Sequence, residues 1–261
     1  MKIVACVKQV PDTTEVKIDE KTGTLIREGV PSIINPFDQF AVELAIKLKE
    51  EHGGEVSVIS MGPPQAKAVL TKSLALGADK AVLLSDRKFA GADTLATAYT
   101  LALAIEKLGD FDLVLCGLQA IDGDTAQVGP EMAQRLKIPQ ITYAENVVFE
   151  DNKFIVDKLT ESGLEKLQVK PPALVAVITP SDFVPGNPPF SKIMKAKKKP
   201  LDTWTADDLG GDPERFGLNG SPTWVKRVYS PPRKEKGEIL TDPPEEVAKR
   251  LVEILAKEGF L

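Results

Sequence analysis

Short apolar runs alternate with amphipathic stretches through the first half of this chain. Four β-branched runs place apolar side chains at consecutive positions, which is typical of strands buried on both faces of a parallel sheet. They cover residues 3–7, 55–60, 81–85 and 112–116. Apolar positions recur with helical spacing over residues 38–51, 65–76, 94–108 and 126–136. This alternation predicts an α/β fold, an open, mostly parallel, twisted sheet with helices on both faces.

After Pro139 the pattern becomes that of antiparallel strands. Three short strands are expected at 146–149, 154–159 and 164–169, because turn-forming residues separate them, and together they predict a small antiparallel insertion at about 145–170. The apolar run 173–178 is expected to return to the main sheet. We therefore expect the α/β nucleotide-binding domain to cover residues 1–180.

Prolines dominate the next segment, residues 181–238, which we expect to form an extended arm rather than a packed domain. In the last segment, residues 239–261, apolar residues recur with helical spacing over 243–260, after the candidate N-cap Asp242. The apolar stripe of this helix needs a partner surface.

The polar loop 117–130 follows a predicted strand and precedes a predicted helix. This is where an open α/β sheet binds its ligand, because unpaired N–H groups at the helix N-terminus attract anions. Gly117 and Gly123 allow close backbone approach, and Asp124 or Gln127 could contact a ribose or ring. The alternative is a capped turn in which Asp124 or Thr125 only caps the helix.

A second candidate phosphate site is the segment 89–97. Gly91 precedes the predicted helix, and Asp93, Thr94 and Thr97 fall on its first turn, where hydroxyls and free amides could hold a diphosphate. A simple N-cap at Asp93 or Thr94 explains this segment equally well. Neither segment matches the Gly-x-Gly-x-x-Gly or Walker pattern, so a standard dinucleotide or P-loop site is disfavoured.

Charge and composition exclude several function classes. The net charge of −5 argues against general binding of nucleic acid or anionic membranes. Cys6 and Cys116 lie within apolar strands and the chain has one histidine, so neither a disulfide, a metal site nor a histidine-based triad is expected. With no signal-like start and no apolar run of about 18 residues, we expect a cytoplasmic protein without membrane insertion.

One basic run stands out against this acidic background. Residues 195–199 follow Phe190, Ile193 and Met194 on the proline-rich arm. An apolar anchor beside basic residues suits docking to an acidic protein, and packing of these apolar residues into the core is the alternative.

Several motifs in order resemble the β subunit of electron transfer flavoprotein, the family that includes the FixA proteins, over essentially the whole chain. The motifs are Val7-Lys-Gln-Val10, Ile34-Asn-Pro-Phe37, Ser60-Met-Gly-Pro63, Leu76-Gly-Ala-Asp79, Gln119-Ala-Ile-Asp122, Gly163-Leu-Glu-Lys-Leu with Pro172-Ala, and Ile193-Met-Lys-Ala-Lys-Lys-Lys199. The resemblance implies a heterodimer with an α subunit that carries a flavin. It also implies that the β subunit holds either a structural AMP or a second FAD.

The segments 92–97 and 122–130 resemble the flavin-bifurcating branch of that family. The AMP-type members tend to have a second acidic residue where this chain has Gly123. The resemblance implies an FAD that accepts hydride from NADH and splits the electron pair between ferredoxin or flavodoxin and, through the α-subunit FAD, a dehydrogenase or quinone oxidoreductase. The chain is expected to be an electron carrier that oxidises NADH only in the complex with the α subunit, and no side chain is proposed as a general acid, base or nucleophile.

The motifs and the resemblance together predict two sets of functional residues, one for cofactor binding and one for partner docking. The expected cofactor-binding residues are Cys6, Asn35, Met61, Asp93, Thr94, Thr97, Gly117, Gln119, Ala120, Asp122, Gly123, Asp124, Thr125, Gln127 and Val128. The expected partner-docking residues, within a recognition loop on the arm, are Phe190, Ile193, Met194 and Lys195. The alternatives are a β subunit that holds AMP without a redox role, a stand-alone adenine-nucleotide-binding regulator and, less favoured, an ATP-activating enzyme.

Overall fold

The computed structural model describes residues 1–12, 32–226, 237 and 239–261. The strands in these ranges are β1 (Lys2–Cys6), β2 (Gln9–Pro11), β3 (Ser32–Ile34), β4 (Glu55–Met61), β5 (Lys80–Leu84), β6 (Leu113–Gly117), β7 (Gln140–Glu150), β8 (Lys153–Thr160), β9 (Gly163–Val169), β10 (Ala173–Val177) and β11 (Leu201–Trp204). The helices are α1 (Pro36–His52), α2 (Lys67–Leu76), α3 (Thr94–Leu108), α4 (Val128–Leu136), α5 (Phe190–Ala196), α6 (Ala206–Leu209) and α7 (Pro244–Lys257).

The main sheet has nine strands in the order β11-β5-β4-β1-β6-β10-β7-β8-β9. All neighbours are parallel except the pairs β7–β8 and β8–β9, which are antiparallel. The predicted mostly parallel α/β sheet is confirmed. The chain runs from β1 outward through β4 and β5, then returns to the other side of β1 at β6. A parallel sheet that reverses direction in this way leaves a crevice at the carboxyl ends of the central strands.

The sheet has a hydrophobic core on each face, because side chains alternate along every strand. In β1, Ile3 and Ala5 belong to one core and Val4 and Cys6 to the other. Helices α1, α2 and α5 cover the first face, and α3, α4 and α6 cover the second. This double covering explains why the central strands carry consecutive apolar residues.

One sheet edge lies beyond the boundary that we expected at residue 180. Strand β11 pairs in parallel with β5, with Leu201 opposite Ala81. The main sheet therefore takes in residues from the proline-rich segment, where only arm was expected. A four-residue strand between two short helices carries too little periodicity to stand out from the surrounding breakers.

The antiparallel strands continue the main sheet instead of forming a separate layer. Strand β7 begins at Gln140, pairs in parallel with β10 over its first half and in antiparallel with β8 over its second. Just before this change, the β7–β10 register shifts between Ile141 and Ala144, where Tyr143 adopts a φ of 57°. The predicted return of residues 173–178 is confirmed, since β10 lies between β6 and β7.

Helix α7 differs from the other long helices because none of its residues is buried. Its N-cap is Pro243, which makes no side-chain capping hydrogen bond, so the expected cap at Asp242 is wrong. Among the helices in the described ranges, none combines the length and apolarity required to cross a bilayer.

Candidate cofactor site

A cavity of about 680 Å³ opens at the carboxyl ends of β1, β4 and β6, between the N-termini of α3 and α4. Its volume falls within the range of about 300–1,000 Å³ that is usual for small-molecule and cofactor sites. Most of the expected site residues line it, namely Cys6, Met61, Asp93, Thr94, Thr97, Gly117, Gln119, Ala120, Gly123, Asp124, Thr125, Gln127 and Val128. The structure thus brings together segments that are far apart in the sequence.

The two remaining candidates, Asn35 and Asp122, do not line the cavity but fix the position of its loop 117–130. The Asn35 side chain donates to the carbonyl of Gln119 at 2.8 Å and accepts from the N–H of Ile121 at 3.2 Å. Asp122 forms an ion pair with the ammonium of Lys8 at 2.6 Å. Asn35 therefore holds the loop from the start of α1, and Asp122, within the loop, ties it to Lys8, while neither residue lines the cavity.

Asp38 is a site residue that the sequence analysis missed. Its carboxylate is buried beside the cavity and accepts from the backbone N–H groups of Lys8 at 2.7 Å and Gly117 at 3.0 Å. Burial raises the pKa of the Asp38 carboxyl from 3.8 to about 7, although hydrogen bonds from Lys8, Asn35 and Gly117 oppose the shift. An acidic residue in the first turn of a helix is usually explained by the helix dipole, so nothing in the local pattern distinguishes Asp38 as a site residue.

Backbone N–H groups at the start of α4 are free to bind an anion. Within the described part of the chain, no acceptor is found for the N–H groups of Thr125, Ala126 and Gln127, or for those of Val128 and Gly129 in the first turn of the helix. Gln127 occupies the N-cap position and makes no side-chain capping hydrogen bond, since its side chain accepts from the Thr94 hydroxyl at 3.3 Å, so the expected cap at Asp124 or Thr125 is not what the structure contains. Such successive free N–H groups form a typical oxyanion site.

The loop before α4 has a backbone conformation that residues other than glycine seldom adopt. Asp124 and Ala126 have φ angles of 49° and 54°, in the left-handed region. The Asp124 carboxylate accepts a hydrogen bond from the Gln119 side chain at 2.9 Å. The backbone N–H of Asp124 donates to the carbonyl of Ala120 at 2.8 Å. Left-handed residues that are not glycine occur preferentially at ligand sites, where the surrounding contacts hold them.

The start of α3 forms the opposite wall of the cavity. Asp93 caps this helix by accepting from the N–H of Ala96 at 3.1 Å, which confirms the N-cap alternative for Asp93. In the described residues the N–H groups of Thr94 and Leu95 have no acceptor. The Thr94 hydroxyl bonds Glu131 of α4 at 3.1 Å, while Thr97 lines the cavity one turn further along. Two helix N-termini therefore face one cavity.

The arm also reaches this wall. The Asp93 carboxylate accepts from the N–H and the hydroxyl of Thr223, at 3.1 and 2.8 Å. Burial tends to raise the pKa of the Asp93 carboxyl, but hydrogen bonds from Ala96, Thr223 and Ser221 hold it below its usual range. Thr223, Trp224 and Val225 line the cavity, and nothing in the local sequence of the arm indicated that they would.

Cys6 and Cys116 lie side by side at the cavity floor, as register partners on β1 and β6. Burial raises the pKa of both thiols, so neither is a thiolate at neutral pH. Both are free thiols, and the described residues contain no cluster of histidine, cysteine and carboxylate side chains that could hold a metal ion.

The expected docking residues lie on α5, away from the cavity lining. Phe190 is 75% exposed, and Met194 and Lys195 are also exposed. Ile193 packs against the core instead, and Lys199 of the basic run donates to the carbonyls of Leu74 and Ala78 at the end of α2. Part of the apolar and basic pattern therefore serves the packing of α5 on the domain.

Comparison with known proteins decides the family. The family model described as "Electron transfer flavoprotein domain" matches residues 22–209. The chain belongs to the electron transfer flavoprotein family. It is 51% identical over 261 residues to "Electron transfer flavoprotein subunit beta" of Clostridium acetobutylicum, covering all of both chains.

Two further relatives show the spread of the electron transfer flavoprotein family around this chain. "Caffeyl-CoA reductase-Etf complex subunit CarD" of Acetobacterium woodii is 52% identical over 263 residues, covering all of both chains. "Protein FixA" of Azorhizobium caulinodans is 44% identical over 250 residues, which are 93% of this chain and 89% of the relative. The resemblance to β subunits and FixA is confirmed. It gives this chain an electron-transfer function in a flavoprotein family whose β subunits pair with α subunits.

Proposed function

We propose that the cavity holds FAD, and that the chain serves with an α subunit in NADH-dependent electron bifurcation. The electrons would pass to ferredoxin or flavodoxin and, through an FAD of the α subunit, to a dehydrogenase or quinone oxidoreductase. When bound, a flavin accepts hydride and releases electrons singly, and this redox chemistry belongs to the cofactor. The chain would bind the cofactor, orient it and exclude water.

The convergence of two helix N-termini on one cavity carries this proposal. Free N–H groups at the start of α4 suit one phosphate, and those of Thr94 and Leu95, with the hydroxyl of Thr97, suit a second. AMP has a single phosphate and would leave one of the two helix starts unused. A diphosphate that bridges α3 and α4 uses both, which favours a dinucleotide.

Open space at Gly123 also favours the larger cofactor. A Cβ built on Gly123 would meet nothing within 4 Å, and this residue lines the cavity. An acidic side chain here would extend into that space and carry negative charge toward the phosphates. The absence of a side chain at Gly123 therefore leaves room for a diphosphate and avoids repulsion between an acidic side chain and its negative charge.

Exposed apolar surfaces support the proposal of an assembled complex over a stand-alone regulator. The apolar stripe of α7 is not buried within the described chain, and Phe190 projects from α5. We propose that α7 packs on the α subunit and that Phe190, Met194 and Lys195 dock the dehydrogenase. One similar protein is named as a subunit of a caffeyl-CoA reductase-Etf complex, which supports association with an acceptor enzyme.

Cofactor identity and stoichiometry in the purified heterodimer test the proposal. The chain is co-purified with its α subunit, the ligands are released, and FAD and AMP are quantified chromatographically. Two FAD per heterodimer is the expected result, and NADH should then reduce the complex. One FAD and one AMP would contradict the proposal and favour the alternative, a β subunit that holds a structural nucleotide.

A further inference from the structure

We propose that Trp224 is a cofactor-contacting residue, and that Thr223 is the positioning residue that fixes it against the cavity. This inference rests on the proposed function, because it concerns the same cavity. The ligand group would be an aromatic ring of the bound nucleotide. The argument starts from how the arm crosses the start of α3.

The arm is tied to the domain immediately before Trp224. The N–H of Leu218 donates to the carbonyl of Ala90 at 3.0 Å, and Gly217 lies so close to Lys88 that a Cβ would be 2.2 Å from its carbonyl oxygen. Gly217 also has a φ of 53°, which favours glycine. The arm therefore approaches the loop before α3 at a fixed position.

Asp93 makes the second attachment, at the helix start itself. Its N–H donates to the Ser221 hydroxyl at 2.8 Å, and its carboxylate accepts twice from Thr223. The same carboxylate caps α3 through Ala96. Hydrogen bonds to a charged acceptor are stronger than neutral ones, so Thr223 is held firmly beside the helix start.

Trp224 follows directly after this attachment and lines the cavity, yet 69% of its surface is exposed. A large, mostly exposed aromatic side chain in the lining of a cavity can cover a ligand that binds there, because aromatic side chains are typical of such linings. Cys6, Cys116 and Leu101 give the cavity an apolar part beside the Asp38 carboxylate. An indole at the rim would enclose a planar ring from the outer side, by stacking or edge contact.

The environment of Trp224 can be measured without any turnover. The β chain is labelled with 5-fluorotryptophan and assembled with its α subunit, and the ¹⁹F resonance that is absent from Trp224→Phe is assigned to Trp224. The cofactor-free heterodimer is then titrated with FAD and, separately, with AMP. A shift with FAD alone supports contact with the flavin ring, and a shift with both supports contact with adenine. No shift with either ligand would overturn the proposal.

The dissociation rate of the cofactor gives a second measurement. Loss of an aromatic stacking partner should accelerate release by about tenfold in Trp224→Ala. Val184→Ala is the matched control, because Val184 is an exposed apolar residue that does not line the cavity. Equal rates for Trp224→Ala and the unchanged protein would contradict contact between the indole and the cofactor.

The positioning role of Thr223 has its own readout. Thr223→Ala removes the hydroxyl bond to Asp93, so the Trp224 resonance should move toward its position in the unliganded protein, and Thr223→Ser should restore it. Failure of rescue would contradict the role. If the heterodimer proves to hold only AMP, the proposed function fails, while the AMP titration still decides whether Trp224 contacts the nucleotide.

Discussion

Gly117 faces the carboxylate of Asp38 so closely that a Cβ built on Gly117 would lie 2.4 Å from Oδ1 and 2.6 Å from the Cβ of Phe37. The hydrogen bond from the Gly117 N–H to the same carboxylate requires this approach. The end of β6 and the start of α1 are thus in close contact at the cavity floor, with no space for a side chain between them.

Substitution of Gly117 by alanine should therefore destabilise the fold and weaken cofactor binding. The new methyl group would displace Asp38 or the strand end, and overpacking of this kind costs roughly 1–3 kcal/mol. The thermal unfolding midpoint and cofactor content of the purified heterodimer measure both effects. Gly123→Ala is the matched control for the unfolding midpoint alone, since its Cβ meets nothing within 4 Å. Equal midpoints for the two variants would refute the steric argument.

The Asp38 carboxyl should make stability depend on pH. Its pKa rises from 3.8 to about 7 on folding, chiefly through burial. Between these values the folded chain retains a proton that the unfolded chain has released. Stability should therefore fall as pH rises from about 4 to about 7 and level off above that, by roughly 4 kcal/mol in total.

Asp38→Asn isolates this contribution, because its side chain is neutral throughout. Other carboxyls with shifted pKa values, such as Asp93, are common to both proteins and cancel in the comparison. Hydrogen exchange of β1 and β6 amides in the cofactor-free heterodimer, from pH 5 to pH 8, measures the difference. Parallel stability curves for the two proteins would show that Asp38 does not titrate in this range.

The centre of the fold could be predicted from the sequence, while its edges could not. Strands such as β1 and β6 are covered on both faces, so their composition alone identifies them. Strand β11 lies at the edge, and its Asp202 and Thr203 are exposed, so it lacks a continuous apolar run. Strand β11 forms because it pairs with β5, which lies more than 100 residues earlier in the chain, and its local sequence does not show this pairing.

The same distinction applies to the candidate site. Loop 117–130 could be found because glycines and polar residues follow a buried strand. Asp38, Lys8 and Trp224 could not, because each acts through a tertiary contact with a segment remote in sequence. Their local patterns are those of a helix start, a strand end and an arm. Only the folded arrangement brings them to the cavity.

Removing the hydroxyls of Thr94 and Thr97 should weaken binding of the FAD that we propose for this cavity. Valine has nearly the same shape as threonine, so the double variant tests the hydrogen bonds, at about 0.5–1.5 kcal/mol each. Binding should weaken by about tenfold or more, while the α-subunit flavin remains. Released FAD per heterodimer is the measurement. Thr100→Val is the control, because its hydroxyl bonds the Ala96 carbonyl of the same helix and does not line the cavity.

Unchanged flavin content in the Thr94 and Thr97 double variant would refute the diphosphate contact at α3. The Thr94 hydroxyl also donates to the carboxylate of Glu131, and burial raises the pKa of that carboxyl. Replacing Thr94 with valine therefore leaves Glu131 without its hydrogen-bond donor from α3. A fall in thermal stability with full flavin content would therefore identify Thr94 as a contact between α3 and α4 alone.

Helix α7 should contribute to heterodimer affinity without contributing to the stability of this chain. Leu251 is 48% exposed and lies on the stripe with Val247, Ile254 and Leu255. Leu251→Glu places a charge in that stripe, which should lower affinity for the α subunit at least tenfold if the stripe is buried in the complex. Analytical ultracentrifugation measures the affinity, and Lys249→Glu, on the opposite face of the helix, introduces the same side chain as the control. If both variants assemble like the unchanged chain, α7 does not pack on the α subunit, and its apolar stripe must serve another contact.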